Sequence, residues 1–270
     1  MEIIMDNIKR LRDLSGAGMA DCRNALIKAD NDIDKAISIL RKEGIDKAAK
    51  RDDREAGEGI ILINVNNEAK EGYIVEINAE TDFVVRSEKF QEFSKKILNI
   101  AEARKTDSLE VLLSAPMEDG NSVADNLKNL SAVIGEKLGI KRYAVLASAG
   151  TIGAYAHGGG KIGVLAALDK NGENELAHNI AMHIAAANPK YIIPDDVPAE
   201  EIAKEEDIYR QQLKKEGKPD NIIKKILVGG INKYYGEVCL VKQEYVKDDK
   251  KKVEDVLGGV KVEKFIRYSL

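Results

Sequence analysis

Cysteine is nearly absent: Cys22 and Cys239 are the only two in 270 residues, far apart and neither within a CxxC pair. That excludes a disulfide framework and a structural zinc site, and both thiols are expected as buried small apolar groups. Histidine is almost as scarce, with only His157, His178 and His183. His178 and His183 are five residues apart, off a shared helical face, with no carboxylate pattern that would complete a metal site. His183 falls on an apolar stripe and reads as a satisfied core histidine, whereas His178 points the other way, to solvent. His157 sits at a hairpin tip, a position that presents side chains to partners but can equally hold an uninvolved surface residue. No Ser-His-Asp order, helix-opening nucleophile or paired-carboxylate motif stands out, so no catalytic residue, metal ligand or cofactor is assigned.

Long apolar runs are also missing. The opening Met1-Glu2-Ile3-Ile4-Met5-Asp6 turns charged at once and no later run reaches membrane-spanning length, so the expectation is a cytoplasmic chain without a membrane partner. A formal charge of -4 supplies no global basic field, which argues against direct nucleic-acid binding.

What is present is ordinary globular material, 44% hydrophobic and 33% charged, in a chain long enough for two or more compact units. Residues 6 to about 45 read as three short helices, with Ile8, Leu11 and Leu14 on one face of the first. Cys22, Ala25 and Leu26 mark the second, and Ile33, Ile37 and Leu40 the third, which Asn31 or Asp32 opens and Gly44 closes. The charged stretch Lys47 to Glu55 reads as a linker. Beyond it, Gly59 to Val65 and Gly72 to Asn78 form a hairpin around Asn66-Asn67, with Tyr73, Val75 and Ile77 on one face. Phe90, Phe93, Ile97 and Ile100 place a helix after Ser87, and Leu127, Leu130, Ile134 and Leu138 another before a strand at Arg142 to Ala147.

The second half repeats this order, with a hairpin at Ile152 to Ala156 and Ile162 to Leu168, then a helix striped by Leu176, Ile180 and Ile184. From Pro198 to about Tyr235 two charged amphipathic helices break at Gly217-Lys218-Pro219, with Ile202, Tyr209 and Leu213 facing Ile223, Ile226 and Leu227. Strands at Glu237 to Gln243 and Lys264 to Ser269 complete the second sheet. The fold class is therefore α+β: a three-helix domain with its linker in 1–52, a subdomain of antiparallel sheet and helices in 53–148, and a similar one in 149–270 carrying an inserted antiparallel helical hairpin at 198–235.

Gly158-x-Gly160-x-x-Gly163 formally matches a dinucleotide fingerprint, but Val164 to Leu168 reads as strand where the fingerprint needs a helix, so a hairpin turn is expected. Two segments stand out from their surroundings. Thr81-Asp82-Phe83-Val84 puts an aromatic residue in a strand-to-helix connection; on the residues alone Phe83 packs inward while Asp82 caps a helix or Ser87 starts one. Gly16-Ala17-Gly18-Met19 joins the first two helices, and Met19 is either core or an adaptable contact.

Taken in order, Ser15-Gly16-Ala17-Gly18-Met19-Ala20-Asp21-Cys22-Arg23-Asn24-Ala25-Leu26 and Glu76-Ile77-Asn78-Ala79-Glu80-Thr81-Asp82-Phe83-Val84 resemble the two signature segments of the elongation factor Ts family. Tyr155-Ala156-His157, Ile162-Gly163-Val164-Leu165, His178 to Ala186, Gly217-Lys218-Pro219 and Gly236-Glu237-Val238 continue the likeness over essentially the whole chain. The resemblance implies an N-terminal domain similar to ubiquitin-associated domains, a two-part core and an inserted helical hairpin. It implies an exchange factor, not an enzyme, that binds the GTPase elongation factor Tu in its GDP-bound and nucleotide-free states and releases GDP so that GTP can load. By the same likeness, Thr81, Asp82, Phe83 and Val84 enter the partner near its Mg2+ site and His157 contacts it nearby. Leu14, Gly16, Gly18 and Met19 form an N-terminal contact, the helical hairpin reaches another part of the partner, and homodimerisation is left open. Ala20 departs from the family, where a second methionine is common. A peptide-binding adaptor built on residues 1 to about 52, or an enzyme using His157 and Asp82, leaves the ordered motifs unexplained.

Overall fold

A computed structural model describes residues 5–49, 51 and 53–270. The opening residues 1–4 and two positions of the expected linker, 50 and 52, lie outside the described residues. Helices α1 (Met5–Ser15), α2 (Met19–Lys28) and α3 (Ile33–Ala49) pack around Ile8, Leu11, Cys22, Ala25, Leu26 and Ala36. Asp32 caps α3, its carboxylate accepting from the Lys35 N–H at 3.0 Å. Leu14 does not join this core and is 60% exposed. Nor does Gly44 end α3: the helix runs on to Ala49, and Gly44 instead lies where a side-chain carbon would come within 2.7 Å of Ala132 Cβ. It is a helix-crossing glycine, and the stop expected there does not occur.

Strands β1 (Glu58–Val65) and β2 (Glu71–Ala79) pair antiparallel across a turn in which Asn66 Oδ1 accepts the Lys70 N–H. The short helix α4 (Asp82–Arg86) follows, then α5 (Glu88–Arg104), α6 (Leu109–Ser114) and α7 (Val123–Ile134). Gly135, at φ 87°, terminates α7, so Leu138 belongs to β3 (Leu138–Ala147) and not to the preceding helix as its spacing suggested. This sheet has the order β1-β2-β3. The second sheet is built from β4 (Thr151–His157), β5 (Ile162–Leu168) and a late strand, with α8 (Asn174–Ala187) across it. Helices α9 (Ala199–Lys215) and α10 (Asp220–Val238) form the helical hairpin, whose second arm extends three residues beyond the expected end at 235. A small hairpin, β6 (Glu244–Tyr245) and β7 (Asp248–Lys252), leads through α11 (Val253–Leu257) to β8 (Val262–Ser269), giving the order β4-β5-β8. The strand expected at Glu237 to Gln243 is absent: that segment finishes α10 and continues through a 3₁₀ turn at Leu240–Lys242.

Each sheet has helices on one face. Tyr73, Val75 and Ile77 meet Phe90 and Ile97 of α5 in the first, and Val164, Ala166 and Leu168 meet Ile180 and Ile184 of α8 in the second. The alternate residues do not reach solvent. Ile61 and Ile74 of one sheet pack against Ile152, Leu165 and Ala167 of the other, so the two subdomains are joined sheet to sheet. Burial on both faces explains why β5 reads as a continuous apolar run, and it leaves nearly all of β2 buried, Glu76 and Asn78 included. Beside this interface the fully buried Glu76 accepts from Arg142 Nε at 2.6 Å and from Asn78 Nδ2 at 3.1 Å. Arg142 also stacks on the Tyr268 ring at 4.3 Å and donates to the Ser269 carbonyl, tying the first sheet to β8.

The helical hairpin is anchored at its base by Glu201, which accepts from the Tyr191 hydroxyl at 2.6 Å and from the Tyr234 hydroxyl. These bonds, Tyr191's first, hold the Glu201 carboxyl below its ordinary range. Tyr209 and Leu213 meet Ile223 and Leu227 farther out, but Ile226 is 40% exposed and Ile202 packs at the base with Tyr234 and Val238. Both cysteines are buried and free, and burial pushes the Cys239 thiol up to about 11, which disfavours the thiolate. No helix among the described residues is long and apolar enough to cross a membrane.

Gly153 of β4 lets α8 approach closely, since a side-chain carbon there would fall 2.2 Å from the Ala177 carbonyl carbon, whereas at Gly229 in α10 nothing lies within 4 Å. Gly153→Ala is expected to destabilise the chain by about 1–3 kcal/mol in urea unfolding. Gly229→Ala should stabilise it by about 0.5–1 kcal/mol. Equal effects of the two would contradict the packing described.

Candidate functional site

The segment Thr81 to Ser87 is a helix of one and a half turns locked at both ends. Thr81 caps α4, its Oγ1 accepting from the Val84 N–H at 3.4 Å. The same hydroxyl donates to Glu136 Oε1 at 2.7 Å and the Thr81 N–H donates to Glu136 Oε2 at 3.0 Å, so one carboxylate after α7 holds the start of the helix. At the other end Ser87 caps α5 through the Phe90 N–H and donates to the Val84 carbonyl at 2.7 Å, and Gln91 Nε2 donates to the Val85 carbonyl at 2.7 Å. Neighbouring Glu80 accepts from the Lys137 N–H at 2.6 Å; that bond, and then Arg54, hold its carboxyl below the ordinary range against the opposing effect of burial.

This frame separates the side chains. Val84 and Val85 pack onto the first core, while Phe83 is 82% exposed, the most exposed large apolar residue described. The inward-packed Phe83 read from the residues alone is thus overturned: Val84 and Val85 take the side of the short helix that meets the core, and Phe83 is left on the solvent side. Asp82 does not cap either; Thr81 does, and Asp82 pairs with Arg86 one turn later at 2.9 Å.

The second tip is the turn between β4 and β5. Gly158, Gly159 and Gly160 all have positive φ, at 62°, 66° and 91°, a run that residues with a Cβ avoid. No helix follows these glycines and Gly163 lies inside β5, which disposes of the dinucleotide fingerprint. His157 is exposed at the end of β4. His183 is fully buried, accepting the Val246 N–H at Nδ1 and donating from Nε2 to Gln243 Oε1, and burial pushes its imidazole below the ordinary value. His178 is exposed as expected, yet it is not idle: its Nδ1 donates to the Ala154 carbonyl at 2.8 Å.

A short path joins the tips. The Ile61 N–H donates to the Gly160 carbonyl at 2.8 Å, and Lys161 Nζ lies 3.1 Å from Glu58 Oε2. Glu58 in turn pairs with Ala79, two residues before Thr81. Both tips therefore stand at one end of the paired sheets. The turn between α1 and α2 is also near: a side-chain carbon at Gly16 would come within 2.8 Å of Lys89 Nζ and 3.1 Å of Val133 Cγ1. Gly16 thus faces α5 and α7 and is turned from the free surface, while Leu14 and Met19 are exposed, at 60% and 37%, and Gly18 precedes α2 in extended conformation. Sequence reasoning missed Glu136 and Arg86 beside these residues, and gave Tyr155 only as part of a family-like segment with no role of its own. Arg86 follows Asp82 at helical spacing and Tyr155 shares a strand face with His157, so both were legible in principle, whereas Glu136 lies 55 positions from Thr81 and carries no local signal.

A sequence model of the family described as Elongation factor TS matches residues 80–270 of this chain. The match covers more than two thirds of the 270 residues, from the first tip through the helical hairpin to the last residue.

Glu136→Ala removes both acceptors from Thr81, and a polar group left unpaired costs about 1–3 kcal/mol. Hydrogen exchange of the free chain should therefore speed up roughly tenfold or more at residues 82–86 and stay unchanged in β1 and β2. Unaltered protection at the tip would show that Glu136 does not order it.

Proposed function

The chain belongs to the elongation factor Ts family, whose members are nucleotide exchange factors for the GTPase elongation factor Tu and not catalysts of bond chemistry, and on that premise we propose how this chain acts. Helix α4 enters the GTPase beside its nucleotide-bound Mg2+. Phe83 is the wedge, filling an apolar pocket that exists only when the partner is opened. Asp82 brings a carboxylate to the metal's ligands and bound waters, where phosphate charge is densest and any disturbance weakens nucleotide binding most. Thr81 and Val84 do not touch nucleotide: one caps and the other seats the helix, so the wedge arrives rigid. His157 contacts the partner from the second tip, near the first, and helps displace its phosphate-binding loop. Leu14, Gly18 and Met19 add a contact from the N-terminal helices, with Gly16 shaping their turn, and the α9–α10 hairpin reaches a second part of the partner. The division into 1–52, 53–148 and 149–270, with 198–235 as an insertion, belongs to the same proposal.

The observation that carries this reading is the exposure of Phe83, 82%, on a helix pinned at both ends. Leaving such a side chain in water forgoes about 1.5–3 kcal/mol, which a partner pocket restores. Because the helix is already ordered, little of that is lost to ordering on binding. Linkage sets the rest: a factor that lowers the partner's affinity for GDP has its own affinity lowered by GDP to the same extent, a coupling of ~1–3 kcal/mol in typical two-site systems.

Stopped-flow release of a fluorescent GDP from elongation factor Tu tests the proposal. The chain should accelerate release at saturation, and Phe83→Ala should slow stimulated release by roughly tenfold or more while weakening the complex less, since contacts elsewhere hold it. No acceleration by the unaltered chain would sink the proposal, and an undiminished rate for Phe83→Ala would remove the wedge.

A further inference from the structure

His157 is not a free-standing side chain. Tyr155, two residues earlier in β4, projects from the same face of the strand, and the two rings stack with centroids 6.0 Å apart and planes 25° from parallel. The Tyr155 hydroxyl lies 3.1 Å from His157 Nδ1. On its other side Tyr155 meets the edge of His178, with centroids 5.7 Å apart and an angle of 71°. His178 itself is fixed, because a carbonyl can only accept: its Nδ1 carries the proton and donates to Ala154 at 2.8 Å. This bracing depends on Gly153, whose missing side chain lets the Ala177–His178 backbone of α8 lie against β4. A chain of contacts therefore runs from α8, through His178 and Tyr155, to the exposed ring at the tip.

We propose that Tyr155 is a positioning residue for His157, holding its ring and its tautomer for the partner; the proposal rests on His157 touching the GTPase. A phenol donates more readily than it accepts, so we assign the Tyr155 O–H as donor to Nδ1 of a neutral His157. The remaining proton then sits on Nε2, and the ring presents one defined donor to an oxygen acceptor of the partner, a carbonyl or a carboxamide. Without the hydroxyl, the ring rotates and both tautomers are sampled, so the donor is present only part of the time. The bond contributes little to folding. The Tyr155 hydroxyl meets His157 at the exposed end of the strand, and the Tyr155 ring keeps its packing on the second core when the oxygen is removed.

Two measurements on the full chain separate positioning from mere support. Histidine two-bond 15N–1H correlation spectra of the free chain, recorded at about pH 8 where imidazole is neutral, report the tautomer directly. His157 should carry its proton on Nε2 with Nδ1 accepting a hydrogen bond, and Tyr155→Phe should shift the Nδ1 signal toward that of an unbonded nitrogen, with thermal unfolding unchanged. In GDP release from elongation factor Tu, Tyr155→Phe should cost roughly 3- to 10-fold, the range of one neutral hydrogen bond, and should cost nothing further in a His157→Ala background. An unmoved Nδ1 signal, or losses that multiply in the double variant, would overturn the proposal. Failure of the unaltered chain to release GDP would instead strike the proposed function, and the spectra would still decide whether Tyr155 sets the ring.

Discussion

The face-to-face contact of the two three-stranded sheets is the constraint on which the rest of the molecule depends. Ile61, Ile74, Leu146, Ile152, Leu165 and Ala167 are each buried there, and each isoleucine or leucine side chain withdrawn from water is worth about 1.5–3 kcal/mol. The contact is also directional. The Ile61 N–H reaches across to Gly160, and the ion pair of Glu58 with Lys161 lies beside it, so the sheets cannot slide without breaking a hydrogen bond. Buried Glu76, satisfied by Arg142 and Asn78, fixes the opposite flank through the Arg142 contacts to β8. A buried carboxylate is costly unless fully paired, and it tolerates few alternative arrangements.

From this follows the placement of the tips. Duplication alone would produce two similar hairpins at unrelated places; packing the sheets on one another puts the end of β2 and the turn after β4 at one end. Each tip is then stiffened by its own polar contacts, Glu136 and Ser87 for α4 and Tyr155 for His157. An exchange factor has to stabilise an opened partner, so interactions that arrive pre-formed are worth more than flexible ones. The exposed Phe83 on a rigid support, beside an Asp82 already paired with Arg86, fits that requirement.

Much of this was legible in the residues, and the failures have identifiable causes. Periodicity located the hairpins, α5, α8 and the α9–α10 pair, because each has one apolar face of regular period. The Gly44 stop failed because a glycine needed for a helix crossing looks the same as a terminating one until Ala132 is seen opposite it. The strand expected at Glu237 to Gln243 failed for want of a period: its apolar residues serve the end of a helix and a 3₁₀ turn that pack around Cys239 and Leu240. At the site, Thr81 to Val84 was visible as unusual, but the outward direction of Phe83 was not, because it is decided by which of four successive residues take the core. Glu136 was beyond reach, since nothing local ties it to Thr81.

The central claim is that the two tips form one surface that meets the nucleotide-binding domain of elongation factor Tu. Photo-cross-linking tests it most directly, with benzoylphenylalanine placed at position 83 in one variant and at position 157 in another. The account predicts that both label the nucleotide-binding domain and that excess GDP lowers both yields together, as reciprocal linkage requires. Labelling of a different domain from either position, or yields indifferent to GDP, would contradict it.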